Sequence, residues 1–248
     1  MILTSLGLYL HSVWIKTKIQ KQKTMANIFK SSIGKKLIMS ITGLFLILFL
    51  TLHMCLNLTT VFDPSGETFR GVCDFMALPV VSIMVPILAA GFFFHIIYAF
   101  ILTIGNRKAR GSQRYEVANK AATDSWSARN MFVLGLIVVL GIALHLTDFW
   151  SKMQLQEWTG AGSEDPNALM YNTFSSIPVT ILYILWFVAL WFHLTHGFWS
   201  AFQTIGWNND KWLIRWKWIA NIFVTIILLG FAVVAVVACA RANCPCCC

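Results

Sequence analysis

The chain has 248 residues, 58% hydrophobic and only 12% charged, with 19 Lys and Arg against 10 Asp and Glu. A water-soluble domain carries about 25% charged residues, so an ordinary soluble enzyme is excluded and an integral membrane protein is indicated. The net charge of +9 does not point to nucleic acid, because the basic residues lie between long apolar runs, where they act as topology signals.

Residues 1–36 form a basic arm with seven lysines. Residues 1–15 are weakly apolar but lack a charged flank and a small-residue cleavage site, so a cleaved signal peptide is not expected. Met25 opens MANIFKSSIGKK just before the first apolar run, and the native start is expected there, with residues 1–24 an upstream extension.

Five apolar runs follow, at about 37–59, 81–105, 130–150, 177–205 and 218–240. Each is near the roughly 20 residues that cross about 30 Å of hydrocarbon. The fourth is long enough to tilt or to project from the bilayer. Pro79, Pro86 and Pro178 lie near the starts of the second and fourth runs, where a missing N–H costs least. The expected organisation is the arm 1–36, one transmembrane domain 37–240, and a short Cys-rich tail 241–248. Cys55 and Cys73 stand alone, Cys239 lies in an apolar run, and Cys244, Cys246, Cys247 and Cys248 crowd the end. No CxxCH or paired CxxC motif is present.

Loop charges predict the orientation. The arm carries +7, the 106–129 loop +4 and the 206–217 loop +2, whereas the 60–80 and 148–176 loops carry −2 and −3. Lys and Arg mark the cytoplasmic side, which places the N-terminus inside and the C-terminus outside.

One histidine, His11, lies in the arm; His53, His95, His145, His193 and His196 all lie within the apolar runs. Ionisable groups at membrane depth are costly, and they face a partner, a neighbouring helix or a cofactor. With about 1.5 Å of rise per residue, His53 lies roughly 24 Å and His145 roughly 22 Å from the inner ends of their runs. By the same rise His95 lies about 15 Å and His193 about 18 Å from the inner edge. The four sort into an outer pair, His53 with His145, and an inner pair, His95 with His193. Two facing imidazoles are what a six-coordinate b-type haem requires. Gly91 and Gly141 precede His95 and His145 by four residues, and Gly197 follows His193 by four. Such spacing shares a helix face, which offers either a flat surface for a porphyrin or a small-residue packing seam. An iron with both axial positions filled transfers electrons and does not bind oxygen.

At SSIGKKLIMSITGLFLILFLTLHMCLNL, at the single histidines of the second and third runs, and at HLTHGFWSAFQTIGW, the sequence resembles a known family. This is the cytochrome b subunit of succinate dehydrogenase and fumarate reductase, in its single-chain, five-helix, two-haem form; the match covers about Met25 to Ala240. The resemblance implies an all-α membrane protein of five transmembrane helices, four of them in a bundle around two stacked b-type haems (protoporphyrin IX). It carries the haem ligands over onto His53 and His145, and onto His95 and His193. It implies propionate contacts at Ser40 and Trp126; His196, three residues beyond His193, is expected either to hydrogen-bond a neighbouring helix or to be a polar neighbour of the inner haem. The implied partners are a flavoprotein subunit with FAD and an iron–sulfur subunit on the cytoplasmic face, together with membrane lipid and a quinone, expected to be menaquinone. The implied location is the bacterial cytoplasmic membrane.

Glu67 and Asp74, in the first outer loop, are candidates for contact with the quinone, or else ordinary solvated charges. Some family members place a glutamate two residues before the fourth-run ligand as a proton carrier; here Trp191 stands there. The chain has no flavin or cluster motif, so no succinate or fumarate chemistry of its own is expected. Two other functions stay open: a two-haem cytochrome of a hydrogenase or formate dehydrogenase, and a haem-free transporter whose histidines relay protons.

Overall fold

The computed structural model describes residues 31–110, 125–207 and 209–244, together with Trp14. The arm up to residue 30 apart from Trp14, the suggested extension 1–24, residues 111–124 of the basic loop and the end of the CPCCC tail lie outside the described residues. Among the described residues every regular element is a helix, and there is no strand. Five helical stretches are long and apolar enough to cross a membrane: Ser32–Phe62, Pro79–Ala109, Trp126–Thr159, Ile177–Ile205 and Asp210–Asn243.

Helix α1 (Ser32–Asn57) starts where the Ser31 hydroxyl accepts the Gly34 N–H at 3.0 Å, satisfying a donor the helix cannot. A short turn, α2 (Thr59–Phe62), ends the first stretch. Its terminal carbonyls receive the Arg241 guanidinium, which donates to the oxygens of Thr60 at 2.6 Å and Val61 at 3.0 Å. A cation suits the negative end of the helix.

The chain then crosses one end through α3 (Glu67–Ala77). Gly66, with φ of 75°, makes the turn into α3, and a Cβ there would also run into the Asn167 side chain. The carboxylate of Asp63 accepts from the hydroxyls of Ser65 and Thr68, which hold it well below the usual carboxylate range. Arg70 donates to Asp165 at 2.8 and 3.0 Å and ties α3 to the start of α8 (Pro166–Phe174). The guanidinium holds the Asp165 carboxyl below its ordinary value. Burial pushes the Cys73 thiol up to about 12.

Between these lie α4 (Pro79–Ser82), α5 (Met84–Arg110), α6 (Trp126–His145), a π-helical stretch π1 (Leu146–Leu155) and α7 (Gln156–Thr159). The Ser125 hydroxyl caps α6 by accepting from Ala128 N–H at 3.1 Å. The last two long helices are α9 (Ile177–Ile205) and α10 (Asp210–Asn243), the latter capped by Asn209.

Helix boundaries differ from the runs read by apolarity. The first helix begins at Ser32 and the last at Asp210, each well before its apolar run, and the third continues to Thr159. The added turns carry Lys, Trp and Asp, whose long or amphipathic side chains suit the polar margin of a bilayer.

Helix α9 packs on α1, α6 and most extensively on α10, while α1 packs on α5. The seam between α9 and α10 follows residues three and four apart: Thr180, Tyr183, Phe187, Leu190 and Leu194 against Ala220, Val224, Ile227, Phe231 and Val234. Val224 and Ile227 are wholly buried. Elsewhere large apolar side chains face outward, among them Leu140, Leu185 and Leu229 at 63%, 62% and 59% exposure. So much exposed apolar surface is stable against lipid, not water.

Candidate functional site

The rings of His53 on α1 and His145 at the end of α6 lie 5.8 Å apart between centroids, at 83° to one another. Those of His95 on α5 and His193 on α9 lie 6.3 Å apart at 71°. Neither pair joins helices that pack closely with each other: among the described residues, α1 with α6 and α5 with α9 are absent from the close-packed pairs. The imidazoles therefore bridge gaps that the backbones leave.

The centroid separations are close to those of two imidazoles that share one metal. An imidazole nitrogen binds a first-row metal at about 2 Å and sits about 1.1 Å from its ring centroid, so two imidazoles on opposite sides of one metal have centroids about 6.2–6.4 Å apart. The His95–His193 separation equals that value and the His53–His145 separation lies within about half an ångström of it. Among the described residues no three His, Cys, Asp or Glu side chains gather to hold a bare ion. Each cluster offers two nitrogens, the donor set that a macrocyclic metal complex completes.

Glycines of neighbouring helices support the pair nearer the basic end. A Cβ at Gly43 would come 3.2 Å from His95 Cε1, and one at Gly135 would come 3.5 Å from His193 Cε1. Gly43 precedes His53 by ten residues on α1, and Gly135 precedes His145 by ten on α6. Both intervals place the two imidazole pairs about 15 Å apart along the helices. The spacing rule had singled out other glycines. The structure sets Phe45 against Gly91, Trp186 against Gly141 and Met131 against Gly197. A spacing of four sees only along one helix, whereas these rings reach across to the next.

The polar surroundings of the four rings differ. His95 Nδ1 lies 3.2 Å from Thr42 Oγ1, whereas His193 Nδ1 is buried with no hydrogen-bond partner. His53 stacks on Phe49 at 5.4 Å and meets Phe231 at 5.7 Å. His145 lies 5.2 Å from Phe149 and near-parallel to Trp186 at 6.3 Å. Three residues beyond His145, inside π1, Asp148 accepts a 2.7 Å hydrogen bond from the Tyr183 hydroxyl; π-helical segments recur at functional positions.

The remaining residues read from sequence are dispersed. Ser40 is buried and donates to its own Lys36 carbonyl at 3.0 Å, about 4.5 Å along α1 from Gly43. Trp126 is half exposed and packs on Phe192 at 5.2 Å. His196 sits 3.5 Å from Ser125 Oγ and edge-on to Trp199 at 4.7 Å, so it stands beside the start of α6, three residues along α9 from His193. Glu67 and Asp74 are exposed on α3, at the other end of the molecule. Trp191 donates to Thr225 Oγ1 on α10 at 2.8 Å, which turns it toward the α9–α10 seam. Sequence reasoning missed Thr42, Gly43, Gly135 and the Asp148–Tyr183 pair; the only trace was a Thr–Gly step within an apolar run.

Compared with family models, with curated proteins and with solved structures, the chain matches none.

Proposed function

We propose that the chain is the two-haem cytochrome b membrane anchor of a succinate:quinone oxidoreductase, carrying electrons between a partner's iron–sulfur cluster and a membrane quinone. The observation that carries this reading is the pair of imidazole pairs, each within about half an ångström of a metal-bridging separation and about 15 Å apart along the helices. Four helices, α1, α5, α6 and α9, carry them in this reading, and α10 adds Phe231 beside His53.

His53 with His145, and His95 with His193, would each hold one haem b, which supplies reversible one-electron exchange. The protein's own contribution is positional. Gly43 and Gly135 let the rings of His95 and His193 lie close to the neighbouring backbones. Phe49, Phe231, Phe149 and Trp186 pack around His53 and His145 and exclude water. Ser40 and Trp126, with His196 nearby, lie toward the basic end, where propionates of the nearer group would find polar company. With Trp191 bonded to Thr225, α9 offers no carboxylate proton carrier at that position.

The basic end faces the cytoplasm of a bacterial inner membrane and receives the iron–sulfur and flavoprotein subunits, and the acidic end faces outward. A quinone, menaquinone by preference, exchanges electrons near the outer pair; Glu67, Asp74 and the Asp148–Tyr183 pair are the polar groups at that end.

Succinate-driven reduction tests this function. In membranes containing the whole complex, succinate should reduce the haems to an extent that dithionite completes, and fumarate should reoxidise them. Haems that dithionite reduces but succinate never does would assign the chain to a different quinone-linked complex.

A further inference from the structure

The two histidines of the pair nearer the basic end differ in one respect. His95 Nδ1 has Thr42 Oγ1 at 3.2 Å; His193 Nδ1 has no partner, although it is buried. The Thr42 hydroxyl has a single proton, and the Ile38 carbonyl at 2.9 Å and the Met39 carbonyl at 3.1 Å already take it. With that proton on a carbonyl, Oγ1 faces the imidazole as an acceptor. An acceptor there requires a proton on Nδ1, which leaves the lone pair of Nε2 free on the opposite edge of the ring.

We propose that Thr42 is a positioning residue: it fixes the tautomer and rotation of His95 so that Nε2 is presented to the metal, and it makes His95 the more strongly donating ligand of an asymmetric pair. The proposal rests on the haem-binding reading above. A ligand imidazole that donates its second N–H gains basicity, and loss of such a bond costs about 10- to 100-fold in metal affinity. Greater basicity favours the ferric form, so the hydrogen bond lowers the potential of this haem alone. The Thr42 contact, at 3.2 Å, is long for a hydrogen bond, so the lower end of that range applies.

The test compares Thr42→Val, nearly isosteric but without the hydroxyl, with Thr42→Ser in membranes of the intact complex. Potentiometric titration of the visible bands resolves the two haems, and a His145→Ala chain identifies which belongs to the His95–His193 pair. Thr42→Val should raise that one potential, by up to about 59 mV where a tenfold loss of affinity falls on the ferric form alone, and leave the other unmoved. Loss of that haem alone in Thr42→Val, with retention in Thr42→Ser, would equally bear the proposal out. Thr42→Ser should restore the wild-type value in either case. Unchanged potentials in Thr42→Val, an equal shift of both haems, or a serine variant indistinguishable from valine would overturn the role of Thr42. A wild-type chain with no haem spectrum would instead overturn the underlying function, and this proposal with it.

Discussion

His95 rests against Gly43: a Cβ on residue 43 would approach Cε1 of the imidazole to 3.2 Å. That gap is tighter than ordinary van der Waals contact but small enough for a methyl group to be absorbed by a slight shift. A branched side chain has no such room. Gly43→Ala should keep both haems, whereas Gly43→Leu should displace His95 and halve the haem content while the His53–His145 haem stays. Haem per chain, measured on purified protein, distinguishes the two variants; a full complement in Gly43→Leu would mean that His95 does not hold its ring at this place.

The choice between His193 and His196 is settled by substitution. His193 faces His95, while His196 turns to Ser125 and Trp199. His193→Ala should lose one haem and His196→Ala should keep two. His145→Ala, in the other pair, should also lose one and leave its partner site filled. The opposite outcome for His193 and His196 would exchange their roles.

Much of this arrangement is legible in the sequence, and the limits have physical causes. Apolar runs reveal the five long helices because hydrocarbon must be matched by about 20 apolar residues. Helical rise alone sorts His53, His95, His145 and His193 into levels, because a long helix converts residue number into depth. The helix ends at Ser32, Asp210 and Thr159 are not legible from apolarity, since Lys35, Trp212 and Lys152 are polar or amphipathic yet helical. Thr42, Gly43 and Gly135 are hidden for another reason. Their partners lie on other helices more than 50 residues away, and contact depends on how each helix is rotated about its axis.

The Arg70–Asp165 pair makes a pH prediction. The guanidinium holds the Asp165 carboxyl below its ordinary value near 3.9. A carboxyl with a lowered folded value stabilises the fold above its unfolded value, and that stability is lost as pH falls through the folded one. Thermal unfolding in detergent should therefore be steady from pH 7 to about 5 and drop below about pH 4. Arg70→Met should melt lower at neutral pH and lose less on acidification. Equal acid sensitivity in both chains would assign the drop to other carboxylates, with Asp63, held low by Ser65 and Thr68, the first to test.

The charges of the loops carry the proposed orientation. Reporter fusions at residues 115 and 160 should fall on opposite sides of the membrane, the first in the cytoplasm. Finding both on one side would remove the third long helix as a span.

Haem stoichiometry reaches the central claim most directly. The purified wild-type chain, assayed by its reduced-minus-oxidised visible spectrum and by quantitative haem extraction, should contain two b-type haems per polypeptide, both six-coordinate and low-spin. A chain that is folded and membrane-inserted yet carries no haem would contradict the account, and would leave His53, His95, His145 and His193 as polar links between helices or as a proton relay.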